Sequence, residues 1–261
     1  MLSDLPTQIV VYLCALAGLL GLVLGSGLNC LAGRMAAGEK WSGSARSACP
    51  ACGHTLGAKD LVPLLSWLAL RGRCRYCGAK ISPRYPITEA LLGVCFVSLV
   101  LRYGLTVHTL SLMVLCACLL CLSLVDLDTQ IIPHRFLVIP AAVRILELLY
   151  TGEGLASALL TGLGLGGGVL VLSLILDKVL KKDTMGGGDI KLLALLGLFF
   201  PVAQCMLLLI LACVVGIGMA ALLMKVSPDT PFPFGPALSL AAWLTLLVGE
   251  PVTAWYLGLF L

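Results

Sequence analysis

Apolar residues run along this chain in long unbroken stretches, with the polar residues gathered into short breaks between them. Such runs are too long and too uniformly apolar for the one-sided pattern of a soluble helix, and they read as helices that cross a bilayer. They fall at 8–32, 86–103, 107–126, 133–150, 156–180, 189–200, 202–224 and 235–250. The sixth is short, either a half-helix or a piece that merges with its neighbour at Pro201. Eight transmembrane helices are expected, with seven as the alternative. The first run is too long for the core of a cleavable signal peptide and has no A-x-A-like exit, so a retained anchor is expected.

Composition agrees with this all-α polytopic class. Hydrophobic residues make up 60% of the 261, charged residues 11%, and mean hydropathy is +1.07, values that exclude an ordinary soluble domain. The exception is the segment 34–85, which carries Arg34, Lys40, Arg46, Lys59, Arg71, Arg73, Arg75, Lys80 and Arg84. Basic residues mark cytoplasmic loops. This loop is therefore expected in the cytoplasm, with the N-terminus outside. Counting helices onward puts 127–135, 181–188 and 225–234, with Arg135, Lys181, Lys182 and Lys225, on the same side. The net charge of +4 is then a topology signal and calls for no nucleic acid. Three parts follow: an N-terminal helix at 1–33, a cytoplasmic loop at 34–85 and a helical membrane domain at 86–261.

Two Cys-x-x-Cys pairs lie in the loop, Cys49–Cys52 and Cys74–Cys77, with 21 residues between them. Four thiolates presented by two knuckles suit a closed tetrahedral structural zinc site, although this spacing slightly exceeds the common one. Gly53 and Gly78 follow each pair, where a knuckle turns tightly. A reducing cytoplasm disfavours disulfides, and so small a loop would draw much of its fold from a metal. His54 is a conceivable substitute ligand, but with four cysteines at hand it reads as a surface residue. The other eight cysteines, Cys14, Cys30, Cys95, Cys116, Cys118, Cys121, Cys205 and Cys213, lie on apolar stretches and read as packing.

Two acids stand at the cytoplasmic ends of apolar runs, Asp126 in VDLDTQIIP and Asp189 in MGGGDIK. Ionisable groups at such depth are costly and mark function by default. Brought together, two carboxylates share one proton and can activate water. Asp128 competes with Asp126, but two residues on it faces another side of the helix and reads better as a supporting group. Gly186, Gly187 and Gly188 remove side-chain bulk beside Asp189, letting a substrate backbone approach and allowing positive φ. Asp189 also suits a helix start, where an acid meets the positive dipole end. Lys191 reads as an interfacial cation or a counter-ion. Arg144 and Glu147 are spaced for an ion pair. Gly162, Gly164, Gly166, Gly167 and Gly168 suit close helix packing.

These motifs, in this order, resemble the bacterial type IV prepilin peptidases, membrane aspartyl proteases of the GxGD class. The likeness begins at Gly25-Ser26-Gly27-Leu28-Asn29 and continues through LLSWLALRGRCRYCG (64–78) and RYPITE (84–89). It then takes in VDLDTQIIP (125–133), MGGGDIKLLA (185–194) and PFGPAL (233–238). The resemblance implies that Asp126 and Asp189 are the catalytic pair, and the local readings above set Asp128, Gly186, Gly188 and Lys191 around them as supporting groups. It implies prepilin or pseudopilin substrates held in the lipid bilayer of the inner membrane, and removal of their short basic leader at the cytoplasmic face. It also implies N-methylation of the new terminus by S-adenosylmethionine, with Glu89 either part of that second site or a helix-dipole partner. The chain departs from the family at His134, where an acid or amide is usual, and at Gly27, where a bulky residue is common. A proton-relaying transporter, a non-catalytic scaffold docking through the zinc loop and an archaellin-type leader protease are the competing readings. The transporter predicts acids near the midplane and an internal repeat, and neither is visible in the sequence.

Overall fold

The computed structural model describes residues 6–39, 47–182, 184–226 (backbone only from 223) and 233–259. Lys40, Arg46, the Lys225 side chain and most of the expected 225–234 loop lie outside the described residues. The chain divides into two compact units, residues 1–109 and 110–261, taken in turn. Among the described residues it is helical throughout, apart from two isolated antiparallel bridges.

In the first unit, α1 (Thr7–Ala36) packs along α3 (Arg84–Tyr103), and the five-residue α2 (Leu65–Ala69) lies in the loop that joins them. The contact between α1 and α3 is one of backbones. A Cβ on Gly21 would stand 2.6 Å from the Leu92 carbonyl oxygen and 2.7 Å from the Gly93 Cα, and one on Gly25 would stand 3.0 Å from the Glu89 Cα. Small residues permit this approach. Buried Asn29 donates its amide N–H to the Thr88 hydroxyl across the seam. A Cβ at Gly27 would meet nothing within 4 Å, so the position has room for a larger residue.

The second unit holds most of α4 (Val107–Thr129), then α5 (Arg135–Thr151), α6 (Leu155–Leu180), α7 (Gly187–Leu196), α8 (Val202–Val226) and α9 (Gly235–Leu257). Here α6 packs on α7, α8 packs on α9, and α5 touches both α6 and α7. Gly162 and Gly166 form the α6–α7 seam, where added Cβ atoms would come 2.8 Å from the Ala194 oxygen and 2.6 Å from the Ala194 Cβ. Gly164, Gly167 and Gly168 face open space and play no part in it. The core is leucine-rich, with Leu112, Leu115, Leu122, Leu192, Leu193 and Leu208 fully buried. Outside it, large apolar side chains such as Leu160, Leu163 and Leu174 stand exposed, as a surface facing lipid requires.

Six of the described helices are long and apolar enough to cross a membrane: α1, α3, α4, α6, α8 and α9. The expected count of eight is thus approximate. α5 has 17 residues and carries Pro140 inside it. The run 189–200 becomes a helix of ten residues, α7, which stops at Gly197 and stays separate from α8. Ten residues rise about 15 Å, half the hydrocarbon thickness.

Candidate active site and candidate metal centre

Asp126 lies in the last turn of α4 with 4% of its surface exposed, whereas Asp128 is exposed. The first helical N–H of α9, that of Gly235, donates to Asp126 Oδ2 at 3.1 Å. This amide is one of the donors a helix start leaves unpaired, and it adds the positive end of the helix dipole. A Cβ on Gly235 would sit 2.6 Å from that oxygen, so a larger residue there requires the carboxylate to move. The role of Gly235 was not foreseen. Its one signal is the Gly-Pro pair opening the last apolar run.

Asp189 is the third residue of α7, in the first turn, with its N–H bonded to the Gly186 carbonyl at 3.0 Å. It is half-buried and within electrostatic reach of Asp126. None of the three preceding glycines adopts positive φ, and a Cβ on Gly187 would meet nothing within 4 Å. A Cβ on Gly188 would press to 3.0 Å from the Ile132 Cβ, and one on Gly186 to 3.2 Å from Asp189 Oδ2. The acid pair thus sits where the ends of α4, α7 and α9 converge. Lys191 makes no ion pair among the described residues. With His134 it supplies the polar lining of an apolar groove of about 670 Å³ between α5, α6 and α7. Beyond the groove, Arg144 Nη1 bonds Glu147 Oε1 at 2.6 Å and Arg144 Nε donates to the Leu198 carbonyl at 3.2 Å. The expected ion pair therefore also caps the turn after α7.

In the first unit the four cysteine sulfurs of residues 49, 52, 74 and 77 lie within 4.8 Å of one another, with Cys49 Sγ and Cys77 Sγ 3.9 Å apart. Tetrahedral zinc with bonds of 2.3 Å would separate its sulfurs by about 3.8 Å. The donor set therefore fits a tetrahedral metal ion. The two knuckles repeat one design. Gly53 and Gly78 take φ of +69° and +71° and return their N–H groups to the Cys49 and Cys74 carbonyls at 2.8 and 2.9 Å. The backbone N–H groups of Cys52 and Ala51 lower the Cys49 thiol to about 7, which favours the thiolate a metal needs. His54 is not among the clustered donors; its ring stacks on Tyr76, centroids 3.6 Å apart. Of the remaining cysteines, Cys95, Cys116, Cys118, Cys121 and Cys205 are buried, in keeping with packing.

Glu89 is 6% exposed and accepts the Leu64 N–H at 2.8 Å. Leu64 is held at φ +58°, an uncommon conformation for a branched residue. The carboxylate thereby ties the loop to α3.

Comparison with known proteins points one way. The profile of the bacterial Peptidase A24 N-terminal domain matches residues 19–103, and that of the type IV leader peptidase family matches residues 113–221. A protein of Aeromonas hydrophila called prepilin leader peptidase/N-methyltransferase is 37% identical over 230 residues, 83% of this chain and 76% of its own. Proteins of the same description from Stutzerimonas stutzeri and Neisseria gonorrhoeae are 35% and 33% identical. They align over 94% and 79% of this chain, and 93% and 72% of theirs. No solved structure matches.

Proposed function

The chain belongs to the type IV leader peptidase family, and from that premise we propose that Asp126 and Asp189 cut the leader from membrane-held prepilins or pseudopilins. The observation that carries this reading is the buried Asp126 carboxylate, held on the first amide of α9 within electrostatic reach of Asp189. Two adjacent carboxylates hold one proton between them. The ionised member takes a proton from water, whose oxygen attacks the scissile carbonyl carbon, while the protonated member donates a hydrogen bond to the carbonyl oxygen. Collapse of the tetrahedral intermediate breaks the C–N bond, and the proton passes to the departing amine. Gly186 and Gly188 leave room for the substrate backbone. Asp128 and Lys191 complete the polar surroundings.

Cys49, Cys52, Cys74 and Cys77 would hold zinc, which in a closed four-thiolate site cross-links the loop and takes no part in hydrolysis. The second activity named for the relatives is proposed here as methylation of the new N-terminal amine, with S-adenosylmethionine as donor. Asp60 of the loop and Glu89 of α3 are already engaged by Arg75 and Tyr76 and by the Leu64 amide, so no step is assigned to them. Residues 1–33, 34–85 and 86–261 act as anchor, metal loop and peptidase. The loop and both acids face the cytoplasm across the inner membrane, as the basic residues direct.

A cleavage assay with a model prepilin in membranes tests this. Asp126→Asn and Asp189→Asn are each expected to lower the rate by about a thousandfold or more, while the native chain also labels the new amine from labelled S-adenosylmethionine. Full cleavage by Asp126→Asn with loss in Asp128→Asn would move the first acid. A native chain that cuts nothing would return the scaffold reading, and unimpaired cleavage by all three variants would place the chemistry on other residues.

A further inference from the structure

We propose that Asp60 is the centre of a clasp that joins the two cysteine knuckles without help from the metal, making it a positioning residue for the metal centre. The inference rests on the reading of the four cysteines as a metal site. Asp60 ends a single 3-10 turn, Ala58–Asp60, between the knuckles. Its Oδ1 accepts the Arg75 Nε–H at 2.7 Å, and its Oδ2 accepts the Tyr76 O–H and the Gly57 N–H, each at 3.1 Å. Arg75 and Tyr76 are the two residues between Cys74 and Cys77. Both side chains inside the second knuckle therefore end on one carboxylate.

The clasp continues into the first knuckle. The Tyr76 ring lies on His54 at 3.6 Å with the planes 33° apart. The His54 carbonyl accepts the Cys49 N–H at 3.0 Å. A continuous path of contacts thus runs from Cys49 through His54, Tyr76 and Asp60 to Arg75, beside Cys74. An ordinary surface ion pair contributes little. This one differs because the Asp60 side chain is only 6% exposed, against 48% for Arg75, and because three donors from two segments converge on it. Hydrogen bonds to a charged acceptor are the stronger kind. A cage held in this way has less chain freedom to lose when the metal arrives, and partners that orient ligands raise metal affinity.

The test uses the full-length protein in detergent micelles, loaded with zinc and titrated with a chromogenic chelator. Asp60→Asn keeps the shape but removes the charge, and Tyr76→Phe keeps the ring on His54 but removes the hydroxyl. Asp60→Asn is expected to weaken zinc binding by about 10–100-fold, and Tyr76→Phe by less, each still taking one ion per chain at saturation. If Asp60→Asn does not yield folded protein, Tyr76→Phe decides alone. Native affinity in the folded variants would overturn the clasp while leaving the metal site intact. A native chain that takes up no zinc would overturn the metal reading, and the clasp with it.

Discussion

Gly235 offers Asp126 a backbone N–H and the absence of a side chain, and the carboxylate uses both. A methyl group there would overlap Oδ2 at 2.6 Å and push the carboxylate off its amide. Gly235→Ala is therefore expected to slow leader cleavage by about a hundredfold, the scale of a small misplacement at a reacting centre. A rate within twofold of native would show that Asp126 has room to move. Much at this scale was legible in the sequence. Acids at the ends of apolar runs and cysteines in paired spacing are conspicuous because burying or clustering them is costly, and the structure brings each set together. Gly235 was not legible as a partner because its reason for being glycine lies 109 positions away, at Asp126. The Asp60 contacts were hidden likewise, since a carboxylate in a charged loop looks solvated until its neighbours are known.

At the scale of helices, the apolar runs predicted where elements lie but not how they meet or end. Hydropathy registers apolar content and does not mark the end of α7 at Gly197, where the chain passes so close to α6 that a Cβ would come 2.7 Å from the Gly162 Cα. Nor could the glycine stripe of α6 be sorted by sequence into the two residues that touch α7 and the three that do not. The seam of α1 and α3 gives the sharpest test. Gly21→Leu would force a side chain between two backbones and is expected to destabilise the protein by about 1–3 kcal/mol, read as earlier thermal unfolding in detergent. Gly27→Leu, two turns away and facing open space, is expected to leave the unfolding temperature within a degree or two. Equal effects at both positions would mean that the seam is looser than the geometry requires.

For the whole molecule, the class was plain from composition, and the family from motifs spread over most of the chain. Orientation is argued from the basic residues, and it predicts which connections lie outside. An alkaline phosphatase reporter, active only outside the cytoplasm, is expected to be active when fused after Glu153 and silent when fused after Lys181. The reverse pattern would invert the topology. The least legible global feature was α7, a helix of ten residues among neighbours of 17 to 26 in its own unit. Its brevity has a consequence for the proposed site. Under the proposed reading of both acids, Asp189 rides on an element that rises only about 15 Å, half the hydrocarbon thickness, whereas Asp126 is held between α4 and α9, each long enough to cross. The two halves of the proposed site thus have unequal reach, and a change in bilayer thickness is expected to act on Asp126 more directly than on Asp189.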